Sequence, residues 1–156
     1  MSFRTAAVLH QIEVALNSIG EMVMLLEEED LKVRPLSDKR SVGELLAHIA
    51  EICEADWRIA NGATKEEMEE YYSKRGNVDK GSVIKAIEAN FTALQERYTI
   101  FTEEELAQQI TAYWGVTYTR YEWLLEILAH LYHHRGQLHA MILYCCGKEC
   151  PVRLFD

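Results

Sequence analysis

Apolar residues recur along this chain at spacings of three and four rather than two, and runs of β-branched residues are scarce. That is the signature of helices burying one stripe each. From Phe3 to Glu29 the stripe is Val8, Ile12, Ala15, Ile19, Met22 and Leu26, and the acidic run EEED followed by Pro35 ends it. A second helix is predicted from Ser41 to about Ala60: SVGE is a capping box, and Asn61-Gly62 is a stop. Ile84, Ile87, Phe91, Leu94 and Tyr98 mark a third, from Ser82 to about Phe101. A Thr102–Glu105 box opens a short helix to about Gln108, and a Thr119–Glu122 box opens a long one that Gly147 should stop.

Four long helices imply an all-α four-helix bundle, with residues 1–156 as a single domain. The link between the first two helices is short, so they should be antiparallel. Residues 63–81 form a polar connection whose extended reach, roughly 60 Å, exceeds the roughly 30 Å of a 20-residue helix. The third helix can therefore lie parallel to the second, giving up-down-down-up.

The last helix changes the picture from architecture to chemistry. His130 and His134 stand one turn apart on a seam with Trp123, Ile127, Gln137 and Met141. Residues four apart project from one face and can converge on one ion. In the second helix His48 shares an inward stripe with Leu45, Ile52, Ala55 and Ile59. Three neutral imidazoles facing one core are expensive to bury unless they are hydrogen-bonded or coordinated, so His48, His130 and His134 are the expected metal ligands. His133 is a geometric substitute for His134 but sits off the seam; His139 faces the opposite side, toward solvent or an interface; His10 reads as structural. Leu131 stands where a zincin needs its glutamate, and the paired Glu-x-x-His motifs of a di-iron bundle are missing. A mononuclear three-histidine site with vacant positions remains, which is the catalytic pattern rather than the structural one.

Charge and composition narrow the partners. A formal net charge of −9 and no Lys/Arg cluster along any helix disfavour nucleic acid and anionic membranes. No apolar run reaches the roughly 18 residues of a membrane span, and the opening segment lacks the continuous apolar stretch of a secretory signal, so a cytoplasmic protein is expected. Cys53, Cys145, Cys146 and Cys150 form no CxxC and read as free thiols.

Three stretches resemble the DinB/YfiT-like superfamily of bacterial helical-bundle proteins: RPLSDKRSVGELLAHIAE around His48, AHLYHHRGQLHAMI, and the closing G-x-x-x-P-x-x-L-F from Gly147 to Phe155. The resemblance spans nearly the whole chain. It implies an up-down-down-up bundle, commonly a homodimer, with a divalent metal on the histidines at positions 48, 130 and 134. Some relatives are metal-dependent transferases that join a low-molecular-weight thiol, such as bacillithiol, to an electrophile. The resemblance thus implies a divalent metal and a thiol cosubstrate, and imidazole ligands suit zinc, nickel, iron and copper. The residues leave a second reading open: a non-catalytic metal-binding homodimer acting as a stress-related sensor, carrier or interaction module.

For a transferase, the nucleophile comes from the cosubstrate and the protein supplies orientation. Trp57, Tyr113, Trp114 and Tyr118 are the candidates to line a small-molecule pocket. Gln137, one turn beyond the histidine pair, and Glu126, one turn before His130, are placed to bond a ligand imidazole or a bound water.

Overall fold

Ser2 starts the first helix: its hydroxyl accepts from the Thr5 N–H, and α1 (Phe3–Met24) then buries Val8, Leu9, Ile12, Ala15, Leu16, Ile19, Met22 and Val23 along one side. The computed structural model describes residues 2–76 and 78–155. α1 ends at Met24 rather than at Glu29, and its surroundings explain why. The Asp30 carboxylate accepts from the Glu27 N–H at 2.6 Å, turning the acidic run back on itself. Two lysines from distant parts of the chain cover the helix end, Lys80 donating to the Leu26 carbonyl (2.6 Å) and Lys148 to that of Leu25 (3.4 Å). Positive charge at a helix C-terminus is favourable, and Lys148 also pairs with Asp30 at 2.6 Å.

A single turn at Asp30–Lys32 leads to α2 (Val42–Ile59), whose capping box at Ser41 and Glu44 forms as its sequence implies. Arg34 grips the same Glu44 with two bonds of 2.7 Å. Gly43 is required by close approach, since a Cβ there would lie 3.0 Å from the Leu31 carbonyl oxygen.

Residues 63–81 are not an extended connection. They hold α3 (Lys65–Ser73), opened by a reciprocal Thr64–Glu67 box and anchored by one buried side chain, Met68. Met68 packs in a small cluster with Ala55, Ile59, Ala60 and Trp123, and Arg75 pairs with Glu51 of α2. Asn77, inside that stretch, lies outside the described residues. Asp79 then caps α4 (Lys80–Thr99), whose first residue lies two ahead of the expected Ser82.

α5 (Glu103–Leu106) is the expected short helix, but the segment after it departs from an all-helical chain. β1 (Gln109–Thr111) pairs antiparallel with β2 (Thr117–Thr119), closed by a loop in which Gly115 adopts φ +93°. Thr119 is both the last residue of β2 and the cap of α6 (Arg120–Tyr144), so the hairpin runs directly into the long helix. Gly147, at φ +64°, lies just beyond it.

The four long helices form a ring in which α2 touches α4 and α6, and α1 touches the same two. Paired contacts give the directions. Gln11 meets Tyr132 and Ser18 meets Arg135, so α1 and α6 are parallel. Ala50 meets Asn90 and Glu54 meets Arg97, so α2 and α4 are parallel. His48 meets His134 while Asp56 meets His130, so α2 and α6 are antiparallel. The order is up-down-down-up. One core, mostly Leu, Ile, Val and Met with the rings of Phe91 and Tyr98, fills the ring. No helix among the described residues is long and apolar enough to cross a membrane.

Candidate metal centre

The antiparallel crossing of α2 and α6 brings three imidazoles together at their Nε2 atoms. His48 Nε2 lies 3.1 Å from His130 Nε2 and 3.0 Å from His134 Nε2. The rings stand at steep mutual angles, 59°, 88° and 50°, so they point at a common centre instead of stacking. His134 is buried and the other two are half-buried.

The outer nitrogens of the α6 pair are fixed. His130 Nδ1 is 2.7 Å from Asp56 Oδ2, and His134 Nδ1 is 2.8 Å from Gln137 Oε1. Both partners are acceptors, so each Nδ1 carries the proton and each Nε2 turns a lone pair inward. Only His48 has an Nε2 proton to offer, and one proton must then be shared by two acceptors. Protonating His48 fully is disfavoured: burial, then Arg40 and the two facing imidazoles, push its pKa down to about 3. Burial also lowers that of His134 against the opposing bond from Gln137.

A cation resolves this surplus of lone pairs. Zinc bound tetrahedrally at about 2.0–2.1 Å places its nitrogens roughly 3.3 Å apart, a few tenths of an ångström beyond the two separations that His48 Nε2 makes. The three residues are the described cluster that could hold a metal ion. Histidine ligands whose far nitrogen donates to a carboxylate or carbonyl are the usual pattern of such sites.

Other expected residues fall elsewhere. The His133 ring lies against His134, its centroid 4.7 Å away, but outside the convergent set. His10 is exposed, so it is not a packed residue of the core, and His139 is half-buried. Glu126 does not bond an imidazole, because His130 Nδ1 turns toward α2 and Asp56 takes that position. Asp56 escaped sequence reasoning. Its signal was faint: a carboxylate eight residues after His48, two turns along and roughly 80° around the helix.

A cleft of about 470 Å³ opens beside His130, lined also by Asp56, Ile59, Tyr72, Trp114, Trp123, Glu126, Ala129 and His133. Trp57 is not in it. That indole lines a separate cavity of about 910 Å³ bordered by α2, α3 and α4, under the Arg97 guanidinium 3.8 Å away. Tyr113 and Tyr118 do not line the cleft; they pack edge-on against Trp114 and Trp123 respectively, with centroids 4.8 and 4.9 Å apart. The four cysteines are free thiols. Burial, then Asp56 and Glu54, raise the Cys53 pKa to about 12, so it offers no thiolate near neutral pH.

The DinB superfamily pattern matches residues 11–138, a span that includes all three histidines. A crystal structure of a protein assigned to the DinB family from Exiguobacterium sibiricum 255-15 is 34% identical, covers 99% of both chains and superposes with a TM-score of 0.87. A DinB-like protein from Bacillus subtilis shares the fold at 20% identity and TM-score 0.72, covering 93% of this chain and 95% of its own. Another, from Bacillus cereus ATCC 10987, does so at 17% and 0.70, covering 92% and 93%. No curated protein matches the chain.

Proposed function

Because this chain belongs to the DinB superfamily, we propose that His48, His130 and His134 hold one divalent ion, zinc, nickel or iron, and that the protein joins a low-molecular-weight thiol of the bacillithiol type to an electrophile. The observation that carries the reading is the convergence of three imidazoles, with His48 Nε2 within hydrogen-bond distance of both His130 Nε2 and His134 Nε2 and the opposite nitrogen of each α6 ring already committed. A divalent ion in such a site acts as a Lewis acid that favours the deprotonated form of a thiol at neutral pH.

The chain's own residues do the positioning. Asp56 and Gln137 hold the α6 imidazoles in the tautomer that presents lone pairs to the centre, and His48 is free to adopt the same tautomer. With Cys53 protonated, the sulfur nucleophile belongs to the cosubstrate. Its sulfur forms the new bond to the electrophilic carbon as that carbon's bond to the leaving atom breaks, and the thiol proton passes to solvent. The cleft alongside supports this over a closed sensor or carrier, which has no use for a volume of about 470 Å³ next to its ion. The same reading takes the protein as a homodimer, which sedimentation equilibrium tests directly.

Metal content measured by mass spectrometry on untagged protein decides the matter. About one divalent ion per chain is expected in the wild type, and almost none in His48→Ala or His134→Ala. Wild-type protein that stays empty after incubation with zinc, nickel and iron overturns the proposal. Loaded protein is then assayed for loss of free thiol in the presence of an electrophile.

A further inference from the structure

The cleft beside the histidines has walls that specify the charge of what enters. Tyr72, Trp114 and Trp123 supply aromatic surface and Asp56 and Glu126 supply carboxylates, while no lysine or arginine lines it. The Trp114 and Trp123 indoles meet at 85° with centroids 6.1 Å apart, forming two adjacent walls of a box rather than a stack. Trp123 is rigid: it is 4% exposed, and its Nε1–H donates to the Ile110 carbonyl at 3.1 Å. Trp114, 51% exposed, stands at the mouth on the hairpin loop.

The two carboxylates differ in what they already do. Asp56 is engaged by His130 Nδ1. Glu126 lines the cleft, exposed, with no hydrogen-bond or ion-pair partner among the described residues. An anionic group entering here meets two like charges and no lysine or arginine on the walls. A cation meets the negative faces of aromatic rings and an uncompensated carboxylate, the combination that holds ammonium groups in aromatic cages.

We propose that this cleft binds the ammonium group of a cationic small molecule, with Trp114 and Trp123 as its walls and Glu126 as its counter-charge. That the bound molecule is the electrophile of thiol transfer rests on the function proposed above; its binding does not. Held there, the ammonium end fixes which carbon of the ligand faces His130 and the neighbouring centre.

Choline and its neutral carbon isostere dimethylbutanol are the probes, titrated into the full chain by calorimetry and by indole fluorescence, with and without zinc. Choline is expected to bind about tenfold more tightly than the alcohol. Glu126→Gln should weaken choline several-fold and leave the alcohol unchanged. Trp114→Ala should weaken both, and because Trp114 is half-exposed the variant should keep wild-type circular dichroism. Equal affinity for the two probes, or no saturable binding of choline, overturns the proposal. His48→Ala separates the two claims, since His48 does not line the cleft: it should lose metal and keep choline. Protein that binds metal and ignores choline refutes the cationic site alone, and protein that binds choline but never metal refutes the metal function alone.

Discussion

Asp56 shows how much one carboxylate can settle. Its Oδ2, 2.7 Å from His130 Nδ1, fixes the tautomer of that ring and adds negative charge behind it. Asp56→Asn keeps the shape and an acceptor oxygen but removes the charge. Metal affinity should fall by about 10- to 100-fold, the usual cost of losing such a partner, measured by competition with a chromophoric chelator. An unchanged affinity means the carboxylate serves only to anchor α2 against α6. At this scale the sequence was legible where spacing carried the signal. His130 and His134 are one turn apart, and His48 lies on an apolar stripe. Asp56 was not legible, because a carboxylate at the edge of a helix stripe looks like any solvated residue until a second helix supplies the ring it faces.

Among elements, helix starts were the most readable features, because a capping box is local: a hydroxyl and a carboxylate three residues apart satisfy each other's backbone donors whatever the tertiary structure. The boxes at Ser41, Thr102 and Thr119 all form. Helix ends and the small elements depended on distant residues. α1 stops where Lys80 and Lys148 reach it. The hairpin is held by Trp123 under it, although Ile110, Thr111, Val116, Thr117 and Tyr118 gave a β-branched and aromatic hint around Gly115. α3 has a capping box of its own, but Met68 is its one fully buried side chain, with Tyr71 and Tyr72 half-buried beside it. Met68→Ala should therefore cost about 2 kcal/mol or more. Hydrogen exchange should show the loss confined to residues 65–73, with α2 and α4 still protected. A uniform loss of protection across the chain would show that α3 and the four-helix ring open together.

For the whole molecule, the histidines join α2 to α6 across the antiparallel seam of the ring. An ion bound there stabilises the folded state alone, by about 4 kcal/mol when it is present at a thousand times its dissociation constant. For a domain of this size that corresponds to roughly 10 °C in Tm. Zinc-loaded wild type should lose about that much on adding EDTA, while His134→Ala should be indifferent to chelator in differential scanning calorimetry. A wild type equally indifferent would mean the imidazoles only pack. The short link after α1 restricts α2 to run antiparallel to it, whereas the stretch 63–81 only permits α4 to lie parallel to α2 and folds into α3 instead of extending.

The order of the ligands along the chain has a consequence for synthesis. His48 precedes His130 and His134 by more than half the polypeptide, and the two groups meet only when α6 has closed the ring. A nascent chain that stops short of His130 offers one of the three converging imidazoles, His48, which an ion would leave as readily as it arrives. On the proposed reading an ion is retained only once α6 has packed against α2, so an ion held through gel filtration would mark a chain folded through α6.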